Sequence, residues 1–87
     1  MNEQEIIDIV NAIFEDSFEI EKEELHEDKN IFTDLGLDSL DIVDLVVALQ
    51  KKFNVKIRND VRVRNIRTMG DLYNYVNLLN KEGLRPE

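Results

Sequence analysis

The sequence predicts a small all-α four-helix bundle, with three main helices, a short third helix and a long loop between helices 1 and 2. Three observations carry that reading. Eighty-seven residues suit one domain, 1–87, and leave little room for a second. Apolar residues recur at helical spacing in three separate stretches. One proline and three glycines against 43% apolar residues describe an ordered, helix-rich chain.

The first helix is expected from about Glu3 to Phe14 or a little beyond, because Ile6, Ile9, Val10, Ile13 and Phe14 fall on one face. A long acidic connection, roughly Glu15 to Asp38, follows. It is too long for a featureless loop in a compact domain, so its own apolar residues should pin it: Phe18, Leu25, Ile31, Phe32, Leu35 and Leu37. The second helix is expected from about Ser39 to Phe53, with Asp38 as N-cap, Asp41 in the first turn and Asn54 as the stop. Between Asn59 and Ile66 the chain reads as one or two short helical turns. The alternation of Val61-Arg62-Val63-Arg64 also suits a strand, and the stretch is too short for its period to decide. Thr68 caps the last helix with Asp71 three residues on, and Leu72, Tyr75, Val76 and Leu79 supply its apolar face. Gly83 and Pro86 mark its end, and 81–87 are expected to be a frayed tail.

Composition narrows the function classes. A domain of this size buries only about 60% of its unfolded surface, so a deep site with several catalytic groups is hard to build, and a binding or carrier module fits better. No cysteine is present, which excludes disulfides, thiolate metal sites and a cysteine nucleophile. Any thioester would need sulfur from a prosthetic group. The acidic start lacks the features of a signal or transit peptide, and no apolar run approaches a membrane span. The expectation is a cytoplasmic monomer without membrane insertion.

Net charge is −8, unevenly spread. Residues 1–50 hold 15 Asp/Glu against two Lys/Arg, whereas residues 51–87 hold nine Lys/Arg against four Asp/Glu. The acidic half repels nucleic acid and anionic lipid and attracts basic protein surfaces, or it simply keeps a small domain in solution.

The second helix carries two apolar stripes. At about 100° per residue, Ile42, Leu45, Val46, Leu49 and Phe53 share one arc, the natural core face. Leu40, Val43 and Val47 form a separate arc, bordered by Asp44 and Lys51 on one side and Gln50 on the other. Either the long connection folds over this second stripe, or it is a surface for a partner. Ser39 stands beside it, where the chain Asp34-Leu35-Gly36-Leu37-Asp38-Ser39-Leu40 enters the helix. A hydroxyl there faces outward near backbone N–H groups without intrahelical partners, a position suited to a phosphodiester. Alone, Asp-Ser-Leu is a weak signal and reads first as a helix cap. Nucleophilic catalysis is unsupported, since the single histidine, His26, lies in the acidic connection with nothing to set it as a base.

The run Leu35-Gly36-Leu37-Asp38-Ser39-Leu40-Asp41-Ile42-Val43-Asp44-Leu45-Val46-Val47-Ala48-Leu49 strongly resembles the acyl carrier protein family. The likeness extends through Phe53-Asn54-Val55-Lys56-Ile57 and, more loosely, to Met69-Gly70-Asp71-Leu72. This resemblance implies a non-catalytic carrier. Ser39 matches the serine that receives 4′-phosphopantetheine from coenzyme A through a Mg²⁺-dependent phosphopantetheinyl transferase, and Asp38 matches the flanking acid. The thiol of the arm would hold acyl groups for acyl-transferring, condensing and acyl-loading enzymes of fatty acid, polyketide or related lipid biosynthesis. Leu40, Asp41, Val43, Asp44 and Val47 match the partner-facing surface.

The chain departs from the family pattern after the second helix. Members serving primary fatty acid synthesis stay acidic there, whereas Gln50-Lys51-Lys52, Arg58, Arg62, Arg64 and Arg67 are found here, and Ile57-Arg58-Asn59-Asp60 replaces an Ile-Pro-Asp-type lead-in to the third helix. That split is expected to mark a specialised carrier with dedicated enzymes, unless the cations merely balance the acidic half. Three alternatives compete: an aminoacyl or peptidyl carrier, an unmodified docking domain, and calcium binding at Asp28-x-Asn30. The last is rejected, because Phe32 and Thr33 stand where an EF-hand loop needs an oxygen ligand and glycine.

Overall fold

A computed structural model describes residues 2–57 and 61–82. Three α-helices, α1 (Glu3–Phe18), α2 (Ser39–Phe53) and α3 (Met69–Lys81), are joined by two short 3₁₀ turns at Lys22–Glu24 and Val61–Asn65. Among the described residues there is no strand, only an isolated antiparallel bridge between Asn30 and Thr68. The short third helix expected near 59–66 is the 3₁₀ turn Val61–Asn65, which decides that stretch against a strand. Arg58, Asn59 and Asp60, and likewise Gly83 and Pro86, lie outside the described residues. No described helix is long and apolar enough to cross a membrane.

Each α-helix opens on a reciprocal capping box: Asn2 with Glu5, Asp38 with Asp41, and Thr68 with Asp71. In each, the cap side chain accepts from the N3 backbone N–H and the N3 carboxylate accepts from the cap N–H, so two otherwise orphaned donors are satisfied. At the far end α2 stops on Asn54, whose left-handed backbone (φ 55°) is one that asparagine tolerates better than most residues. α1 runs one turn past its last fully buried residue. Phe18, expected in the connection, is instead its final residue, with its ring 5.5 Å from that of Phe14.

The core is built from Ile6, Val10, Ile13 and Phe14 of α1, Leu45, Leu49 and Phe53 of α2, and Met69, Leu72, Tyr75 and Val76 of α3. α1 packs against both other helices, so it forms the floor from which α2 and α3 rise. From the connection, Leu25, Ile31 and Leu37 are buried as expected, while Phe32 and Leu35 are half-buried. Side-chain burial is only half of what fixes this segment. Its backbone is also clamped to the start of α3, with the Ile31 N–H donating to the Arg67 carbonyl at 2.8 Å, Met69 to Lys29 at 3.0 Å and Gly70 to Glu27 at 2.8 Å. Asn30 turns the chain at that joint, its Oδ1 accepting from the Phe32 and Thr33 amides at 2.9 Å each.

Two titratable groups feel this packing. Backbone N–H donation from Arg67 and Thr68 holds the Asp71 carboxyl below its ordinary range. Burial raises the Tyr73 hydroxyl above its usual value, and the neutral phenol donates to Asn11 Oδ1 at 2.5 Å. Asn11 is the polar residue buried with the core, so Tyr73 satisfies a group that would otherwise be costly to bury.

Candidate attachment site at the start of the second helix

Ser39 is the first residue of α2 and is exposed. Two local features deliver it there. Gly36 adopts φ +77°, in the left-handed region that glycine enters without penalty; the Gly36 N–H donates to Phe32 and the Leu37 N–H to Ile31. Leu37 is then buried, which anchors the chain one residue before the cap. Asp38 accepts from the Leu40 and Asp41 amides at 2.9 and 3.0 Å through Oδ1, and its own N–H donates to Asp41 Oδ2 at 3.1 Å.

This geometry corrects the sequence reading of the helix terminus. Two of its N–H groups are already taken by the Asp38 carboxylate, so they are not free for a phosphate. The Ser39 N–H is the one left without a hydrogen bond among the described residues. The helix dipole still favours an anion at this position. The residues present therefore fit a phosphodiester that projects from Ser39 into solvent rather than one sunk into a backbone nest.

An apolar cleft of about 200 Å³ adjoins the serine, lined by Ser39, Phe32, Ile42, Val46, Val63 and Ile66 among others. It exists because α2 and α3 are braced by α1 and not closed against each other, with the 3₁₀ turn Val61–Asn65 set over the gap. For scale, an apolar cavity of about 150 Å³ stays dry and takes up benzene. The cleft also corrects the expected core face of α2. Leu45, Leu49 and Phe53 are buried, whereas Ile42 and Val46 are half-buried and face the cleft. Helical periodicity identifies the face but not whether anything fills the space in front of it.

On the other side of α2 the choice between cover and exposure is decided. The connection does not fold over the second stripe: Leu40 is 75% exposed, Val43 59% and Val47 42%. Asp44 is exposed beside them, and Asp41, engaged in the cap, is half-buried. Ser39, Asp38, Leu40, Asp41, Val43, Asp44 and Val47 thus occupy one continuous end of one helix. Residues not anticipated as part of this region are Ile57, Val63 and Arg64, which with Val43 and Val47 line a second open groove along α2. Their signal in the sequence was weak, because all three lie beyond the end of α2, outside the reach of its periodicity.

Comparison with known proteins adds a family. Residues 8–76 match the family model described as a phosphopantetheine attachment site. The chain is similar to the acyl carrier protein of Lactobacillus acidophilus, 33% identical over 76 residues that cover 87% of this chain and 94% of the relative. It is likewise similar to that of Wolinella succinogenes, 38% identical over 82% of this chain and 92% of the relative, and to that of Guillardia theta, 43% identical over 69% and 74%.

Proposed function

The chain belongs to the acyl carrier protein family, takes a 4′-phosphopantetheine prosthetic group, and we propose that Ser39 is the residue to which the arm is attached. The observation that carries this reading is the position of Ser39: exposed at the first turn of α2, next to its cap Asp38, and on the rim of an apolar cleft. When bound, the arm supplies the thiol that holds an acyl group as a thioester. The chain's own residues do the rest. Asp38 and Asp41 fix the helix start, so the hydroxyl stands clear of the fold. The cleft between α2 and α3 offers apolar walls to aliphatic cargo, which favours an acyl over a charged aminoacyl passenger, at about 0.8 kcal/mol per buried methylene.

The exposed stripe Leu40, Val43 and Val47, with Asp44, serves as the surface met by the phosphopantetheinyl transferase and by acyl-transferring, condensing and acyl-loading enzymes. In this reading residues 1–87 are one carrier domain, non-catalytic, monomeric and cytoplasmic, and the 3₁₀ turn Val61–Asn65 is the short third helix of a four-helix carrier bundle. The test is intact-protein mass before and after incubation with coenzyme A, Mg²⁺ and a broad-specificity phosphopantetheinyl transferase. The parent should gain one phosphopantetheine and Ser39→Ala none. Equal gain by both proteins would move the attachment elsewhere, and no gain by folded parent would remove the carrier reading.

A further inference from the structure

The cations from the last turn of α2 onward are not alike. Arg62 forms a two-pronged ion pair with Glu82 at 2.6 and 3.2 Å and lies over the Tyr75 ring, 5.5 Å from its centre. Arg67 folds back on its own turn, donating to the Arg64 and Ile66 carbonyls at 2.6 and 3.1 Å. Arg62 thereby ties the 3₁₀ turn to α3, and Arg67 braces the turn itself. Lys51 and Arg64 are different: both are exposed, and neither side chain has a hydrogen bond or ion pair among the described residues. Lys51 falls one turn beyond Val47 on the same exposed face of α2. Arg64 reaches that face from the side, across the groove it lines with Val43, Val47, Ile57 and Val63.

A lysine in the last turn of α2 is favoured by the helix dipole whatever its partners, and this explains Lys51 and Lys52. It does not explain Arg64, which sits on another segment and lines the groove beside the same patch. From the start of α2 onward the face therefore reads apolar (Leu40, Val43), acid (Asp44), apolar (Val47), then base (Lys51), with Arg64 beside it. Asp44 and Lys51 are two helical turns apart, about 10 Å. That is comparable to the screening length at physiological salt, so a docked surface meets the two signs separately rather than their average.

Resting on the reading of this face as partner-facing, we propose that the partner segment seated on it carries charge of both signs around an apolar centre. Lys or Arg meets Asp44, apolar side chains meet Leu40, Val43 and Val47, and Asp or Glu meets Lys51 and Arg64. A uniformly basic docking surface would press like charges against Lys51 and Arg64 and be disfavoured. Such a carrier selects dedicated enzymes by rejecting those whose surface is basic throughout.

Three synthetic helical peptides with the same leucine face test this on the ¹⁵N-labelled holo-protein: one with Lys at one end and Glu at the other, one all-Lys, one all-Glu. The mixed peptide should bind about five- to tenfold tighter than either uniform one, the size expected of two exposed ion pairs, and should shift the amides of Leu40 to Lys51 and Val61 to Ile66. In the exposed-site double variant Lys51→Glu/Arg64→Glu, checked for folding by circular dichroism, the preference should pass to the all-Lys peptide. Tightest binding of the all-Lys peptide by the parent, no change of ranking in the variant, or no binding by any peptide would overturn the proposal. The mass assay of Ser39 is unaffected by these rankings, so failure of the carrier reading registers separately.

Discussion

α2 and α3 begin with the same device and end up in opposite environments. Each has a cap side chain answered by an aspartate at N3: Asp38 with Asp41, and Thr68 with Asp71. At N1, α2 has exposed Ser39 and α3 has Met69, which is fully buried. At N2, α2 has Leu40 in open solvent and α3 has Gly70, where an added Cβ would meet the Glu27 carbonyl oxygen at 3.0 Å. The difference comes from the connection, which binds its backbone to the start of α3 and leaves the start of α2 bare. A capped helix terminus is thus neutral hardware. Whether it becomes a structural joint or an addressable site depends on what lies over its first turn.

That contrast can be broken most sharply at N1. Met69→Ala removes a fully buried side chain and should cost about 2–5 kcal/mol, read as a shift of the urea midpoint. Ser39→Ala should stay within about 0.5 kcal/mol of the parent while losing all attachment of the arm. At N2, Gly70→Ala sets a helix-propensity gain of about 1 kcal/mol against overpacking of about 1–3 kcal/mol. The clash is with a backbone oxygen already held by the Gly70 N–H at 2.8 Å, so it cannot swing aside, and thermal unfolding should show a net loss.

Removing the caps sharpens the comparison further. Thr68→Ala and Asp38→Ala should each cost about 1 kcal/mol, but only Asp38→Ala should also slow arm transfer, measured by intact mass against time. The smallest effect is on acid stability. Because Asp71 is held below its ordinary value, the folded state favours its carboxylate. That contribution is present above the unfolded value of about 3.9 and is lost as pH falls through the depressed native one. Urea midpoints of Asp71→Asn should therefore fall less steeply than the parent's in this acid range.

Much of the site was legible because its signals are local. Asp38-Ser39 with Asp41, the two stripes of α2 and the stop at Asn54 all lie within one helix length, where periodicity and capping rules operate. Thr68 with Asp71 was legible for the same reason. What could not be read were contacts between distant segments. The clamp of residues 27–31 on 67–70 is made by backbone groups, which carry no residue signature. The half-empty space before Ile42 and Val46 depends on how α1 braces its two neighbours. Arg62, Arg64 and Arg67 look alike in sequence, yet Glu82 and two carbonyls take the first and third.

The clamp between the connection and α3 also sets what the chain must close to be complete. Its three bonds join positions about forty residues apart, and closing a loop of that length costs about 3 kcal/mol of chain entropy before any contact repays it. The capping boxes of the three α-helices are local by contrast, each closed within four residues. Opening the clamp therefore uncovers Ile31 and Met69, both fully buried in the closed fold, and turns a structural joint into an apolar surface open to self-association.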